Sequence, residues 1–521
     1  MRASPESARV VEYRGPGLTV MLKRLILFAC SAAALPFAPA FGQQPETTAP
    51  EIITIDASAA ARPFPHFWEI MFGSGRANLS LRDSYRRDLE ATRAITSVQY
   101  VRFHAILDDE NGIYDEDAQG HPVYNFSYLD QIYDGLLDRH IRPFVELSFM
   151  PRKLASSQAA FPFWYKPLVA PPNNYAHWDE LIAQFTRHLL ARYGEPEVEQ
   201  WYFEVWNEPN LPFWGGRPNE PTYYELYDHT ARAIKSVSPN LRVGGPATAQ
   251  AAWVDRFIHH CVDNQSPVDF VSTHVYGNDK SEDIFGTHET IPRRDMVGRA
   301  VKKVYDQVHA SPLPSLPIIW SEYNASYMAE TGVTDAPFMG PWLANNIRLC
   351  DGLTTVMSLW TFSDVFEEQG VIKQPFHGGF GLIAAYGIPK AAFNAFRLLH
   401  MLGNERIPVA SANALVTRDA DGQLAIAVWN YAAPEEAGSP RELRLAITGL
   451  TGPHRARIQI VDAQHGSPLA AWEAMGRPAF PTRHQIQVLR DASTLPDAVD
   501  RDLAQPLVLQ PYALALVKII P

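Results

Sequence analysis

Trp201-Tyr-Phe-Glu-Val-Trp-Asn-Glu-Pro-Asn210 is the stretch on which the reading of this chain turns. It is an apolar, aromatic run that ends abruptly on Glu208. A short run of this kind reads as a strand buried on both faces. Pro209 lacks a backbone donor and helps to stop the strand there. A second such run, Pro317-Ile-Ile-Trp-Ser-Glu-Tyr-Asn324, holds Glu322, 114 residues after Glu208. Carboxylates are rarely set in apolar surroundings without a task. Two of them suggest the acid/base and nucleophile pair that splits a glycosidic bond. The competing reading is a pair of ion-paired residues with no chemistry.

Outward from these runs, the pattern alternates strand, loop and helix from about residue 64 to 402. Strands are expected at Phe67–Gly73, Val98–Leu107, Arg142–Phe149, Trp201–Asn207, Arg242–Ala247, Asp269–Tyr276, Pro317–Tyr323 and Thr355–Phe362. Helical patterns fall between and after them, at 83–95, 126–140, 176–193, 221–236, 252–264, 293–309, 337–350 and 389–402. Eight of each is the tally of an α/β fold of the (β/α)₈ TIM-barrel type. An open doubly wound sheet is the alternative, but no Gly-rich phosphate turn follows the first strand. Glu208 then ends the fourth strand and Glu322 the seventh, so both reach the C-terminal mouth where barrel active sites lie.

Beyond Gly403 the period changes. Leu415–Arg418 and Gln423–Tyr431 flank an Asp421-Gly422 turn and read as a hairpin. Further strand runs are expected at Glu442–Ile447, Ala456–Asp462, His484–Leu489, Leu507–Leu509 and Ala513–Ile519, which together describe a C-terminal all-β sandwich. The strand at 51–57 needs a partner and is expected to join it. The resulting division is a leader at 1–42, a tail and strand at 43–63, a barrel at 64–402 and a sandwich at 403–521.

Composition narrows the function classes. The chain has 521 residues, 46% apolar and 20% charged, with a net charge of −12 and no basic run, which excludes a nucleic-acid binder of ordinary type. Its three cysteines, Cys30, Cys261 and Cys350, have no metal-ligand spacing. Cys261 and Cys350 read as buried thiols, with a disulfide between them left open. The aromatic content of 11% suits a core and equally suits stacking on sugar faces.

The N-terminus reads as an export signal. Met21-Leu-Lys-Arg24 is a short basic segment, and Leu25–Ala40 is apolar. Translation is expected to start at Met21, with cleavage after Gly42. An uncleaved anchor and lipidation at Cys30 are the competing readings; the apolar run is short and Pro-interrupted for a span. The mature protein is expected to be periplasmic or secreted, with no membrane span.

The segment Trp201–Trp214 closely resembles the strand-four signature of glycoside hydrolase family 39, the family of β-xylosidases and α-L-iduronidases. Arg102-Phe-His-Ala-Ile-Leu-Asp-Asp-Glu-Asn-Gly-Ile-Tyr114 resembles its strand-two segment, and Ser272-Thr-His-Val-Tyr-Gly277 its strand six. Trp320-Ser-Glu-Tyr-Asn-Ala-Ser326 and Trp360-Thr-Phe-Ser-Asp-Val-Phe-Glu-Glu368 resemble strands seven and eight. Most of residues 51–520 falls within the resemblance.

The resemblance implies a retaining glycosidase with Glu208 as acid/base and Glu322 as nucleophile. It implies that Asn207 donates to the sugar 2-hydroxyl, that His104 contacts the sugar, and that Tyr276 positions the nucleophile. His274, Trp360, Glu367, Glu368 and Phe149 are further expected substrate contacts, each with a structural alternative. Ala105 stands where the family often has Gly. The segment His377-Gly-Gly-Phe-Gly381 allows a close backbone approach or simply tight turns. No metal or organic cofactor is expected. The substrate class implied is xylo-oligosaccharide, with a β-glucoside, β-galactoside, arabinoside or uronide as alternatives. A non-catalytic carbohydrate-binding protein on the same fold is the reading from another class. The sandwich is a candidate surface for homo-oligomer contacts.

Overall fold

In the computed structural model of the protein, residues 50–450 and 455–520 are described. The export signal, the start at Met21 and Cys30 lie outside the described residues. Among those residues, no helix is long and apolar enough to cross a membrane.

Eight strands close into a parallel barrel. They are β1 (Met71–Gly73), β2 (Tyr100–Arg102), β3 (Arg142–Leu147), β4 (Tyr202–Val205), β5 (Arg242–Thr248), β6 (Phe270–Tyr276), β7 (Ile318–Asn324) and β8 (Val356–Leu359). Each lies beside its successor, and β8 closes on β1 through Leu359 and Phe72. Most are shorter than the apolar runs that announce them: in β2, β3, β4 and β8 residues at the mouth end fall outside the sheet, whereas in β1 the extra residues precede it. Helices at 83–93, 127–137, 175–193, 220–237, 254–263, 293–309, 339–350 and 391–400 fill the expected positions. Polar caps set several starts: Asn174 accepts from Ala176 and His177, and Asn219 accepts from Thr222.

A large, continuous apolar cluster packs around the barrel strands. Trp68, Trp178, Trp201, Trp206, Trp320 and Trp342 are all fully buried in it. Cys261 and Cys350 are free, buried thiols, so the disulfide reading is set aside.

Two further sheets pack inner face to inner face. One has seven strands, including Ala414–Arg418, Leu424–Trp429, Arg455–Val461 and Leu514–Ile520. The other has three, Glu51–Asp56, Arg441–Thr448 and Leu507–Leu509. The N-terminal strand runs parallel to Arg441–Thr448, pairing Ile53 with Leu445. Ile53, Ile55 and Leu443 from the smaller sheet meet Val416, Ile426 and Val517 from the larger one.

One expected strand is corrected. His484–Leu489 is not a strand but part of the helix Arg483–Ala492. Thr482 and Gln485 form a reciprocal capping box at its start. Ile486 and Leu489, spaced for one helical face, pack with Trp472 and Phe376.

Candidate active site

β4 ends two residues before Asn207-Glu208, and Glu208 has φ +45. A non-glycine residue in this region is strained and needs support from its surroundings. The Glu208 N–H donates to Ala247 at the end of β5, 2.8 Å away, which locks the turn. Glu322 sits within β7 itself. One carboxylate oxygen of each glutamate and a nitrogen of His274 lie within 4.8 Å of one another.

The two carboxylates have different company. Arg102, the last residue of β2, is wholly buried. It donates to Glu204 at 2.6 Å, to Glu322 Oε1 at 2.6 Å and to Asn207 Oδ1 at 2.9 Å, and it lies 2.8 Å from Glu146. The Tyr276 hydroxyl donates to Glu322 Oε2 at 2.7 Å. Both oxygens of Glu322 therefore receive strong donors, the surroundings of a carboxylate. Burial and the charge of Glu322 hold the Tyr276 phenol well above its ordinary range, so it stays a donor.

Glu208 pairs with no Arg or Lys among the described residues; its partner is His274. Burial, then the charge of Glu322, push its carboxyl well above the usual carboxylate range. Its Oε1 is 3.0 Å from His274 Nδ1. Burial and the charge of Arg102 drive His274 well below its ordinary range, so the ring is neutral. His274 Nε2 lies 3.1 Å from Ser321, whose hydroxyl donates onward to Glu204 at 2.6 Å. Ser321 thus accepts from Nε2–H, which leaves Nδ1 as an acceptor for a proton on Glu208. The network and the burial agree on Glu208 as the proton carrier, while Glu322 accepts from Arg102 and Tyr276.

A cavity of about 370 Å³ opens above the pair. His104, Asn207, Glu208, Tyr276, Glu322, Trp360 and Glu368 all line it. Arg102 occupies Asn207 Oδ1, so the amide N–H groups are the part left for a ligand. His104 Nδ1 is 2.7 Å from Glu146, and its Nε2 is 3.6 Å from Glu368. Burial beside Glu322 and Glu208 pushes Glu368 well above the ordinary carboxylate range.

Three expected contacts are corrected, since none lines the cavity. Phe149 is fully buried behind His104, packed against Trp206 and Phe213. His274 is fully buried beneath the glutamates, where it orients Glu208 rather than a sugar. Glu367 turns away from Glu368. Burial opposes its charge, but hydrogen bonds from Arg82 at 2.6 and 3.1 Å and from Arg76 at 3.3 Å hold it below its ordinary range.

Trp360 lines the cavity and packs directly on Gly73, where a Cβ would fall 2.1 Å from the indole. The glycines of His377–Gly381 serve packing in the same way, with a Cβ on Gly381 meeting Ser363 backbone at 2.3 Å. The buried Lys390, paired to Asp335 and Asp364, donates to Gly379 O and holds this loop, which sets Phe380 on the cavity wall.

Sequence reasoning missed several lining residues: Phe161, Phe163, Leu211, Phe213, Gln250, Asp279 and Tyr327. Phe161 stacks on Phe213 with centroids 3.5 Å apart. Most come from loops, where no period marks them, and only Asp279 carries a charge. Arg102, Glu146 and Glu204 carried a legible signal, namely charged groups inside apolar strands.

Ala105, beside His104, has φ +67. Its carbonyl accepts from Asn111 at 2.8 Å and its N–H donates to Ser148 at 3.1 Å, which hold the strained turn. Glycine meets no steric penalty there. Ala105→Gly is expected to raise unfolding stability by about 1 kcal/mol in urea titration.

Glu208, His274 and Glu322 also offer three metal-ligating atoms. Arg102 already places a full positive charge 2.6 Å from Glu322, which opposes a second cation there.

Comparison with known proteins matches this geometry to a family. The sequence model of Glycosyl hydrolases family 39 matches residues 51–504. A beta-xylosidase of Geobacillus stearothermophilus is 39% identical over 439 residues, covering 82% of this chain and 86% of that protein. A beta-xylosidase of Caldicellulosiruptor saccharolyticus is 35% identical over 457 residues, covering 85% and 91%. Among solved structures, a monomeric beta-xylosidase from Caulobacter crescentus CB15 superposes with a TM-score of 0.81 at 34% identity, covering 90% of this chain and 99% of that one. With its closed barrel and paired glutamates, the chain belongs to glycosyl hydrolase family 39 and is a glycosidase.

Proposed function

We propose that the protein is an exported, retaining, exo-acting β-xylosidase that releases xylose from xylo-oligosaccharides. The observation that carries the reading is the facing pair itself: two carboxyls within 4.8 Å, one with a proton acceptor beside it and one held by Arg102 and Tyr276. Retaining glycosidases place their carboxyls about 5–5.5 Å apart, whereas inverting ones leave room for a water between them. Glu322 attacks the anomeric carbon while Glu208 gives its proton to the leaving oxygen. Glu208, now ionised, then takes a proton from the water that releases the sugar. Asn207 offers its N–H groups to the 2-hydroxyl, and His104 and Glu368 bind the remaining face.

Xylose is the reading favoured by the two relatives named beta-xylosidase. A cavity of about 370 Å³ is at the small end of ligand pockets and supports action at a chain end. Among the described residues no Lys or Arg lines it, which argues against a uronide, since a carboxylate ligand calls for a cationic partner.

The test is a panel of nitrophenyl glycosides followed by proton NMR. Turnover of the β-xyloside is expected to exceed that of the β-glucoside, β-galactoside and α-iduronide by at least about tenfold in kcat/KM, a difference of ~1.4 kcal/mol. β-Xylose is expected to appear first. Initial α-xylose would overturn retention, and a preferred hexoside or uronide would overturn the substrate. Export rests on the basic and apolar leader; a mature N-terminus at Gln43 is its expected readout.

A further inference from the structure

A second cluster of ligating groups lies at the opposite, N-terminal end of the barrel. Glu69 stands two residues before β1 and is fully buried. His66 Nδ1 is 2.8 Å from its Oε1, and His400 Nδ1 is 2.9 and 3.0 Å from its two oxygens. His400 is the last residue of the helix Ala391–His400. One ligating atom from each of the three residues falls within 4.8 Å of the others.

Glu69 pairs with no Lys or Arg among the described residues; its partners are the two histidines. A carboxylate removed from water needs a compensating cation. The His66 ring stacks on Trp68 with centroids 4.4 Å apart, and 39% of the His400 side chain is exposed. Both rings turn Nδ1 toward the Glu69 carboxylate, so the three ligating atoms converge.

We propose that His66, Glu69 and His400 form a structural site for a divalent transition-metal cation of the zinc type, which ties the end of the last barrel helix to the segment entering β1. Two imidazole nitrogens and one carboxylate oxygen are a donor set that suits zinc and not magnesium. Bonds of about 2.0–2.2 Å require the ligand atoms to spread by only a few tenths of an ångström from their present contacts. The exposed edge of His400 gives a path for entry. Sequence spacing gives no hint of the site, because His400 and Glu69 are 331 residues apart.

The test uses the full chain freed of metal by chelator and dialysed. Calorimetric titration is expected to show about one Zn²⁺ bound per chain, a higher melting temperature with Zn²⁺, and none of this with Mg²⁺. Co²⁺ is expected to give visible absorption bands of a nitrogen–oxygen site. His400→Gln changes a half-exposed side chain and is expected to weaken Zn²⁺ binding at least about tenfold and abolish the Co²⁺ bands. Glycosidase activity is expected to be the same with and without metal, so the result stands apart from the xylosidase reading. No stoichiometric Zn²⁺ binding, or binding unaltered in His400→Gln, overturns the proposal.

Discussion

Replacing Glu322 by alanine is expected to lower kcat/KM on an aryl β-xyloside by about 10⁵-fold, a loss of ~7 kcal/mol of transition-state stabilisation. The size follows from the role. No other carboxylate in the site has both oxygens held by Arg102 and Tyr276 while facing the cavity. Without it no glycosyl–enzyme ester can form. The fold is expected to survive, because Arg102 keeps Glu146 and Glu204 as buried partners. The space left by the side chain admits a small anion beside the Arg102 guanidinium. Azide is therefore expected to restore turnover and to give a glycosyl azide of inverted anomeric configuration. Near wild-type activity in the variant, or an azide product of retained configuration, would sink the assignment.

The same arginine shows which parts of the site were legible in the sequence. Glu208 and Glu322 stood out because each lies at the end of an apolar run, and strand order then gave them a common mouth. Glu146 and Glu204 sit inside equally apolar runs. They are register partners across β3 and β4, with Arg102 on the neighbouring β2 donating to Glu204. In a strand buried on both faces, apolar character does not reveal which side faces the barrel axis. Each of these charges stands out within its run, but only the register brings Arg102, Glu146 and Glu204 together at the axis. Glu367 and Glu368 pose the same difficulty at one-residue resolution. What separates them is Arg76 and Arg82, more than 280 residues away in sequence. The helix Arg483–Ala492 is a different case. Its capping box, Thr482 and Gln485, was present, but a short alternating run outweighed it. The loop aromatics Phe161 and Phe213 had no signal at all, since loop position is set by tertiary contact.

Replacement of Glu208 is expected to act selectively, according to how much the leaving group needs a proton. On xylobiose, Glu208→Ala is expected to lose about 10³-fold in kcat/KM, in the range of general acid catalysis. On a dinitrophenyl xyloside, whose leaving group needs no proton, the loss in kcat/KM is expected to be small. Azide is then expected to give a product of retained configuration, opposite to the outcome at Glu322. The pH dependence follows from the raised pKa of Glu208, which burial and the charge of Glu322 impose. Its protonated form is the working acid, so wild-type activity on xylobiose falls as pH rises through that raised value. The alanine variant is expected to lack this alkaline limb on the dinitrophenyl substrate. Stability carries the same sign. Below the unfolded-chain value, near ~4.3, both states hold the proton and the site adds no penalty. Between that value and the raised folded value, the unfolded chain releases its proton first, and the folded state is progressively destabilised. Glu208→Gln removes the titrating group and keeps its shape. Its gain in melting temperature over wild type is expected to be absent at about pH 4 and to grow toward neutrality. A gain independent of pH would show that Glu208 does not carry the raised pKa, and the acid role would fall with it.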